Sequence, residues 1–263
     1  GSLCGDFNNL AGLAACVREV APDIIVNAAA HTAVDKAEAE PDLASTINAR
    51  APAVLAEEAA RLGAWLVHYS TDYVFDGSGE RPWQETDAPG PLGVYGQTKL
   101  AGELAIGHRC DKHLIFRTSW VYAARGNNFA RTILRLAAER DHLRVIADQI
   151  GAPTGAELLA DVTAHAIRSA RQRPELAGLY HLAAGGETSW HGYARHVVEQ
   201  ARRAGQPIRV AAEAIEAVPA CAYPLPAPRP ANSRLDTGKL RAAFALNLPD
   251  WQSGVDRMLE EIL

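Results

Sequence analysis

Lysine is scarce in this chain: of 26 basic side chains only Lys36, Lys99, Lys112 and Lys239 are lysines. The basic residues form no cluster and the net charge is −5, which argues against nucleic acid as the main partner. Cys4, Cys16, Cys110 and Cys221 are far apart and make no CxxC pair. That spacing predicts a reduced, cytoplasmic protein and no thiolate metal site. No apolar run approaches the roughly 20 residues of a membrane-spanning helix. The chain opens with no basic segment followed by an apolar stretch, so no signal peptide is expected and no membrane partner is predicted. Glycine is plentiful but poorly placed for phosphate binding. Gly1, Gly5 and Gly12 do not follow a strand, and Gly185-Gly186 falls late in the chain.

What remains is an ordinary globular composition, 48% hydrophobic and 22% charged over 263 residues, enough for one large α/β domain or a domain with a smaller lobe. Residues 23–30 are a short apolar run after Pro22, as in a buried parallel strand. A helix is predicted over 51–62, with Val54, Leu55, Ala59 and Leu62 on one face and Gly63 as its stop. Further strands are predicted at 64–70 and 114–118, and helices around 95–104 and 129–140. Strands alternating with helices imply right-handed βαβ units and a parallel sheet. Beyond 143 the pattern loosens, with strands expected at 143–146 and 178–182 and helices at 157–171, 190–204 and 251–262. Pro219, Pro224, Pro226, Pro228 and Pro230 make 218–230 a loop.

Tyr95-Gly96-Gln97-Thr98-Lys99 is the sharpest local feature. Residues four apart share a helix face, and an ammonium beside a phenol would lower its pKa. Tyr95 is therefore a candidate proton donor to a carbonyl becoming an alkoxide. Chance alone supplies about 0.1 such pairs in a chain of this composition, so the spacing by itself is weak. Context strengthens it. Ser70-Thr71-Asp72 lies at the carboxyl end of a predicted strand, where open α/β sheets bind ligands; a turn cap explains those hydroxyls as well. Asn27-Ala28-Ala29-Ala30-His31 places small side chains at another strand end, open to a flat ligand or to close helix packing.

Together with Ser70-Thr71-Asp72-Tyr73-Val74-Phe75 these strings resemble the extended short-chain dehydrogenase/reductase family. The segment 30–38, Arg117-Thr118-Ser119-Trp120-Val121-Tyr122, Gly151-Ala152-Pro153-Thr154 and the segment 229–235 narrow the resemblance to its dTDP-4-dehydrorhamnose reductase branch, in order from Cys4 to the end. The resemblance implies a Rossmann-like doubly wound parallel sheet with its first βαβ unit missing, and a smaller C-terminal substrate-binding lobe. Residues 1–142 would form the dinucleotide-binding, catalytic core. Residues 143–263 would form mainly the lobe, with some segments returning to the core.

The same resemblance implies the chemistry. Hydride would pass from NADPH or NADH to the C4 ketone of a dTDP-sugar, in bacterial rhamnose synthesis. Tyr95 would donate the proton, Lys99 would hold the nicotinamide ribose, and Thr71 would complete the triad. Asp6, Phe7, Ala29, Ala30, His31 and Thr32 would contact the cofactor, as would Tyr95 and Lys99. Thr32, Val34, Thr71, Asp72, Tyr73 and Trp120 would contact the sugar nucleotide. No metal site and no nucleic acid are expected, and a homodimer is a candidate assembly. Some positions keep two readings: Trp120 as core or sugar platform, Asn48 as family residue or solvated helix residue, Arg229 as phosphate ligand or loop anchor. His68 and His181 read as structural. A regulatory, non-catalytic protein of the same fold, or an epimerase on another nucleotide sugar, are the competing functions.

A complete relative begins with a strand, a Gly-rich turn and a helix that holds the pyrophosphate, and no such motif occurs here. The expectation is that a central strand is therefore missing beside residues 23–30. That would leave a gap in the sheet, from truncation or an incomplete record, or one filled by another copy.

Overall fold

The computed structural model describes residues 4–263; Gly1, Ser2 and Leu3 lie outside it. Helix α1 (Leu10–Val20) starts where the Asn9 side chain accepts from the Gly12 N–H. Strand β1 (Ile24–Asn27) follows, then α2 (Val34–Ala39) and α3 (Pro41–Ser45). A π-helical turn, Thr46–Arg50, joins α3 to α4 (Ala51–Leu62). Gly63 ends α4 with φ 67°, a left-handed conformation that glycine adopts without a Cβ clash. Strand β2 (Trp65–Thr71) runs through a short 3-10 turn, Asp72–Val74, towards α5 (Val94–Arg109), and β3 (His113–Thr118) comes next. The remaining elements are β4 (Val121–Tyr122), α6 (Phe129–Glu139), β5 (Leu143–Ile146), β6 (Ile150–Gly151), β7 (Thr154–Gly155) and α7 (Ala156–Gln172). After them come β8 (Gly178–His181), β9 (Thr188–Ser189), α8 (Trp190–Arg203), β10 (Ile215–Val218), α9 (Gly238–Phe244) and α10 (Trp251–Ile262).

The main sheet has four parallel strands in the order β1-β2-β3-β8. Helices cover both faces, so β2 and β3 are buried nearly throughout, as their apolar runs require. One face packs Leu66 and Ile115 against Leu13, Val17, Leu55 and Ile106 of α1, α4 and α5. The other packs Val67, Leu114 and Phe116 against Leu159, Val162, Leu240 and Phe244 of α7 and α9. Each large side chain fully buried in this way contributes about 1.5–3 kcal/mol. A second core gathers around α6, α8, α10 and the parallel pair β5–β10. Thus α6, which precedes residue 142, belongs by packing to the second core. By contrast α7, β8 and α9, which follow it, belong to the first.

The expected gap does not exist. β1 pairs directly with β2, Ile24 opposite Trp65 through Asn27 opposite His68. The sheet is therefore continuous across the described strands, with β1 at its edge and Val26 half exposed. The reason is topological: α2, α3 and α4 carry the chain over one face and return it to the neighbouring position. Nothing is left to fill between β1 and β2, by this chain or by another copy. Elements that periodicity did not reveal are α1, α2, α3, α9, β10 and the two-residue strands β4, β6, β7 and β9, all short or alanine-rich.

Candidate active site

The carboxyl end of β2 meets the start of α5 at one close approach. A Cβ on Gly96 would lie 2.2 Å from the Tyr73 carbonyl oxygen, so only glycine lets the helix rest on that turn. One and a half turns on, a Cβ on Gly102 would lie 2.2 Å from the Asn48 carbonyl oxygen, bringing α5 equally close to the π-helical turn. With its helix so seated, α5 presents Tyr95, Lys99 and Glu103 to the sheet at successive i, i+4 positions.

Thr71 ends β2. Its hydroxyl donates to Asp72 Oδ1 at 3.1 Å and accepts from the Tyr73 N–H at 3.2 Å. It also lies near the Tyr95 phenol, where it opposes the effect of burial. Burial wins: the enclosed phenol is pushed up to about 12 although the residue as a whole is only half-buried. Asp72 is buried, and loss of water raises its carboxyl to about 6 against the hydroxyls of Ser233 and Thr71. Tyr73 packs edge-on to Tyr95, ring centres 5.4 Å apart.

Lys99 does not do what its spacing suggested. Its ammonium does not bear on the Tyr95 phenol, whose shift comes from burial, Thr71 and Asp72. Instead Lys99 Nζ bonds the Tyr69 carbonyl oxygen at 2.6 Å and meets His68 Nε2 at 3.1 Å. A long side chain leaving the same helix face reaches past the phenol into the sheet. Burial lowers Lys99 to about 8, partly offset by Glu103. Glu103 is itself held by Arg117 of β3 through bonds of 2.6 to 3.2 Å.

Several residues the sequence left open, or left out, are placed here. Asn48 is buried: its Oδ1 accepts from the His31 N–H at 2.8 Å, and its Nδ2 donates to the His31 carbonyl and to Thr98 Oγ1. It therefore ties the loop after β1 to α5, which a solvated helix asparagine would not do. His68 is fully buried and bonded on both nitrogens, to Asn27 and to Lys99. Ala29, Ala30, His31 and Thr32 line the turn between β1 and α2, and Val34 is the first residue of α2. Asp6 and Phe7 sit elsewhere, before α1: Asp6 accepts from Asn8, and Phe7 packs into the core with Leu13 and Val17.

Beside Tyr73 opens a cavity of about 780 Å³, walled by Trp120, Trp190, Gln149, Ser233 and the proline-rich segment. Trp120 lies in its wall and not in the core. Its φ of 49° is unusual for a bulky residue, and its ring stacks on Trp190 with centres 3.7 Å apart. Trp190 came with no signal in the sequence, because the partner in a stack is chosen by the fold. Arg229, also on the wall, forks onto Asp35 of α2 at 2.8 and 2.9 Å. Of its two readings the structure selects the loop anchor.

An enclosed tyrosine, a neighbouring hydroxyl and a buried lysine thus stand at strand carboxyl ends, next to an aromatic cavity. The RmlD substrate binding domain family matches residues 2–263. The chain belongs to that family. It is 64% identical to the dTDP-4-dehydrorhamnose reductase of Shigella flexneri over 259 residues, covering 98% of this chain and 86% of that protein. It is 63% identical to the Escherichia coli K12 protein of the same name, with the same coverage. Among solved structures, a dTDP-4-dehydrorhamnose reductase from Bacillus anthracis in complex with NADP superposes with a TM-score of 0.88 at 36% identity. That match covers 97% of this chain and 86% of the other. A Clostridium acetobutylicum relative gives 0.88 at 34% identity, covering 98% and 87%. The parallel sheet of this family member is the Rossmann-like fold of those relatives.

Proposed function

We propose that this family member reduces the C4 ketone of dTDP-4-dehydro-β-L-rhamnose to the alcohol, giving dTDP-β-L-rhamnose. The observation that carries the reading is the enclosed Tyr95 phenol near the Thr71 hydroxyl, packed against Tyr73 in the wall of the Trp120 cavity. A carbonyl oxygen placed against both groups receives a hydrogen bond from Thr71 and a proton from Tyr95. With a pKa near 12 the phenol is fully protonated at neutral pH, the form a reductase needs, and it still yields its proton to a more basic alkoxide. The cavity lies within the usual size for ligand pockets. Trp120 offers a flat face to the sugar nucleotide, Tyr73 borders the cavity with Asp72 buried next to it in the chain, and Thr32 and Val34 would lie towards the cofactor side.

NADPH or NADH supplies the hydride when bound. The residues present fit its nicotinamide half: the small side chains of Ala28, Ala29 and Ala30 leave the end of β1 open, and His31 Nδ1 is buried there without a partner. Lys99 and Tyr95 would hold the nicotinamide ribose, with Ala29, Ala30, His31 and Thr32 alongside. Asp6 and Phe7 would meet the adenine end. In this reading the four-stranded core carries the cofactor and the α6–α8–α10 core carries the substrate wall, a division that crosses the expected boundary at 142 because α6 packs with the second core and α7, β8 and α9 with the first. A cytoplasmic location and a homodimer complete the proposal, the former supported by four unpaired cysteines and by the absence of any described helix long and apolar enough to cross a membrane.

The test is oxidation of NADPH and NADH followed at 340 nm with dTDP-4-dehydrorhamnose and with other dTDP- and UDP-linked keto sugars. Selective turnover of dTDP-4-dehydrorhamnose is expected. Turnover of a UDP-sugar alone, or cofactor binding without turnover of any keto sugar, would overturn it.

A further inference from the structure

Trp120 stands in a conformation that its residue type disfavours. A φ of 49° puts a bulky side chain in the left-handed region, and such a residue keeps that shape only where its surroundings hold it. Three neighbours do so. The Trp190 ring stacks on it with centres 3.7 Å apart, 14° from parallel. Gly151 lies against the Trp120 ring: a Cβ there would come within 2.8 Å of Cε2 and 3.1 Å of Cζ2, so a larger residue would displace it. The Thr154 N–H donates to the Trp120 carbonyl at 3.2 Å and ties down the backbone. Trp190 is itself held. Strands β6 and β9 run antiparallel, with Gly151 opposite Thr188 and Ile150 opposite Ser189. Gln149 and Trp190 come next on either side, and this register brings them together. The Trp190 Nε1–H donates to Gln149 Oε1 at 3.2 Å. An indole N–H can only donate, so the contact also fixes which end of the Gln149 amide faces Trp190. Gln149 is buried, so water is a poor substitute for either partner. The Phe129 ring of α6 packs against Trp190 with centres 4.7 Å apart.

We infer that Gln149 and Trp190 are positioning residues of the Trp120 cavity. Gln149 sets the Trp190 ring through one hydrogen bond, and the Trp190 ring sets Trp120 as a platform that is formed before any ligand arrives. A ligand that lands on it does not have to order a large side chain, so more of the contact energy appears as affinity. The effect falls on binding of the sugar nucleotide and therefore on KM. Thr71 and Tyr95 are held by contacts of their own, to Asp72 and Tyr73, so the chemical step is left nearly as it was. The inference rests on the proposed function for the identity of the ligand; the clamp is a property of the folded chain.

The test uses the full chain and two readouts. Indoles stacked this closely couple their ultraviolet transitions and give a circular-dichroism couplet. The chain has five tryptophans, and Trp120 with Trp190 is the one stacked Trp–Trp pair among the described residues, so the couplet reports this clamp. The parent chain should show it without ligand. Gln149→Leu, similar in size but with no acceptor, should lose most of the couplet. It should also raise KM for dTDP-4-dehydrorhamnose by about three- to tenfold, the worth of ordering one large side chain, with kcat within about twofold. Gln149→Glu keeps an oxygen for the Trp190 N–H whether or not its carboxyl is ionised, and should restore the couplet. A parent chain without the couplet would overturn the inference, as would Gln149→Leu retaining it in full or Gln149→Glu losing it just as completely. An unchanged KM on loss of the couplet would do the same. So would a raised KM with the couplet intact, which would make Gln149 a direct ligand contact. If the couplet behaves as expected and no keto sugar is turned over, the clamp stands and the functional reading falls.

Discussion

Tyr95 keeps its proton because its hydroxyl is shut away from water, and only Thr71 works against that. A phenol held this way suits donation to an alkoxide and not removal of a proton from an alcohol. Tyr95→Phe should lower turnover by about a hundredfold or more, the usual size of a lost general acid. Cofactor affinity measured by fluorescence titration should change little, and parent-like rates would assign the proton to another group. Asp72 makes a second prediction at this scale. Its folded pKa is raised to about 6 from the ordinary 3.8, so the unfolded chain ionises it first. The cost is absent below pH 4, grows as pH rises towards 6, and is complete above that. Asp72→Asn keeps the acceptor for Thr71 and removes the charge. It should stabilise the protein by about 2–3 kcal/mol at pH 8 and by nothing at pH 3.5, read from paired melting curves. A gain independent of pH would show that the carboxyl is not strained by burial.

At the scale of elements, α5 is the part on which the site depends. It lies against β2, the Asp72–Val74 turn and the π-helical turn at once, and it carries Tyr95, Lys99 and Glu103 into the space between them. Gly102 makes that seating measurable. A methyl there meets the Asn48 carbonyl at 2.2 Å, and backbone cannot swing aside as a flexible side chain would. Gly102→Ala should cost about 1–3 kcal/mol and reduce kcat by displacing the catalytic face. Gly107 on the same helix has nothing within 4 Å of its added methyl. Gly107→Ala should leave kcat unchanged and stabilise by about 0.5–1 kcal/mol. Denaturant melts and initial rates on the pair separate helix propensity from seating. Equal behaviour of the two variants would contradict the close approach.

Across the whole molecule, the proline-rich segment from one end of the chain is fastened to α2 near the other by Arg229 and Asp35. The carboxyl of Asp35 is held below its ordinary value, first by its hydrogen bond to Arg229. Because Asp35 is 39% exposed at its side chain, the pair contributes less than about 1 kcal/mol to stability. Its value lies in shape, since it holds one wall of the Trp120 cavity. Arg229→Ala should leave the melting temperature nearly unchanged and raise KM for the sugar nucleotide severalfold, with kcat affected less. An unchanged KM would detach the anchor from substrate binding.

What the sequence determined by itself was local and periodic. The apolar runs of β2 and β3, the helix closed by Gly63 and the helix at 251–262 were legible because burial on both sides of a parallel strand, or along one stripe of a helix, leaves its imprint residue by residue. The Tyr95–Lys99 spacing and the hydroxyls at the end of β2 were legible as short local strings, given weight by their order along the chain and by the family resemblance. Tertiary structure alone decided which distant groups meet. It placed β1 directly beside β2, put Trp190 under Trp120, buried Asn48 against His31, and turned Lys99 away from Tyr95 towards His68. Those contacts join residues far apart in the chain, and no repeating pattern records a partner that is chosen only when the helices close on the sheet.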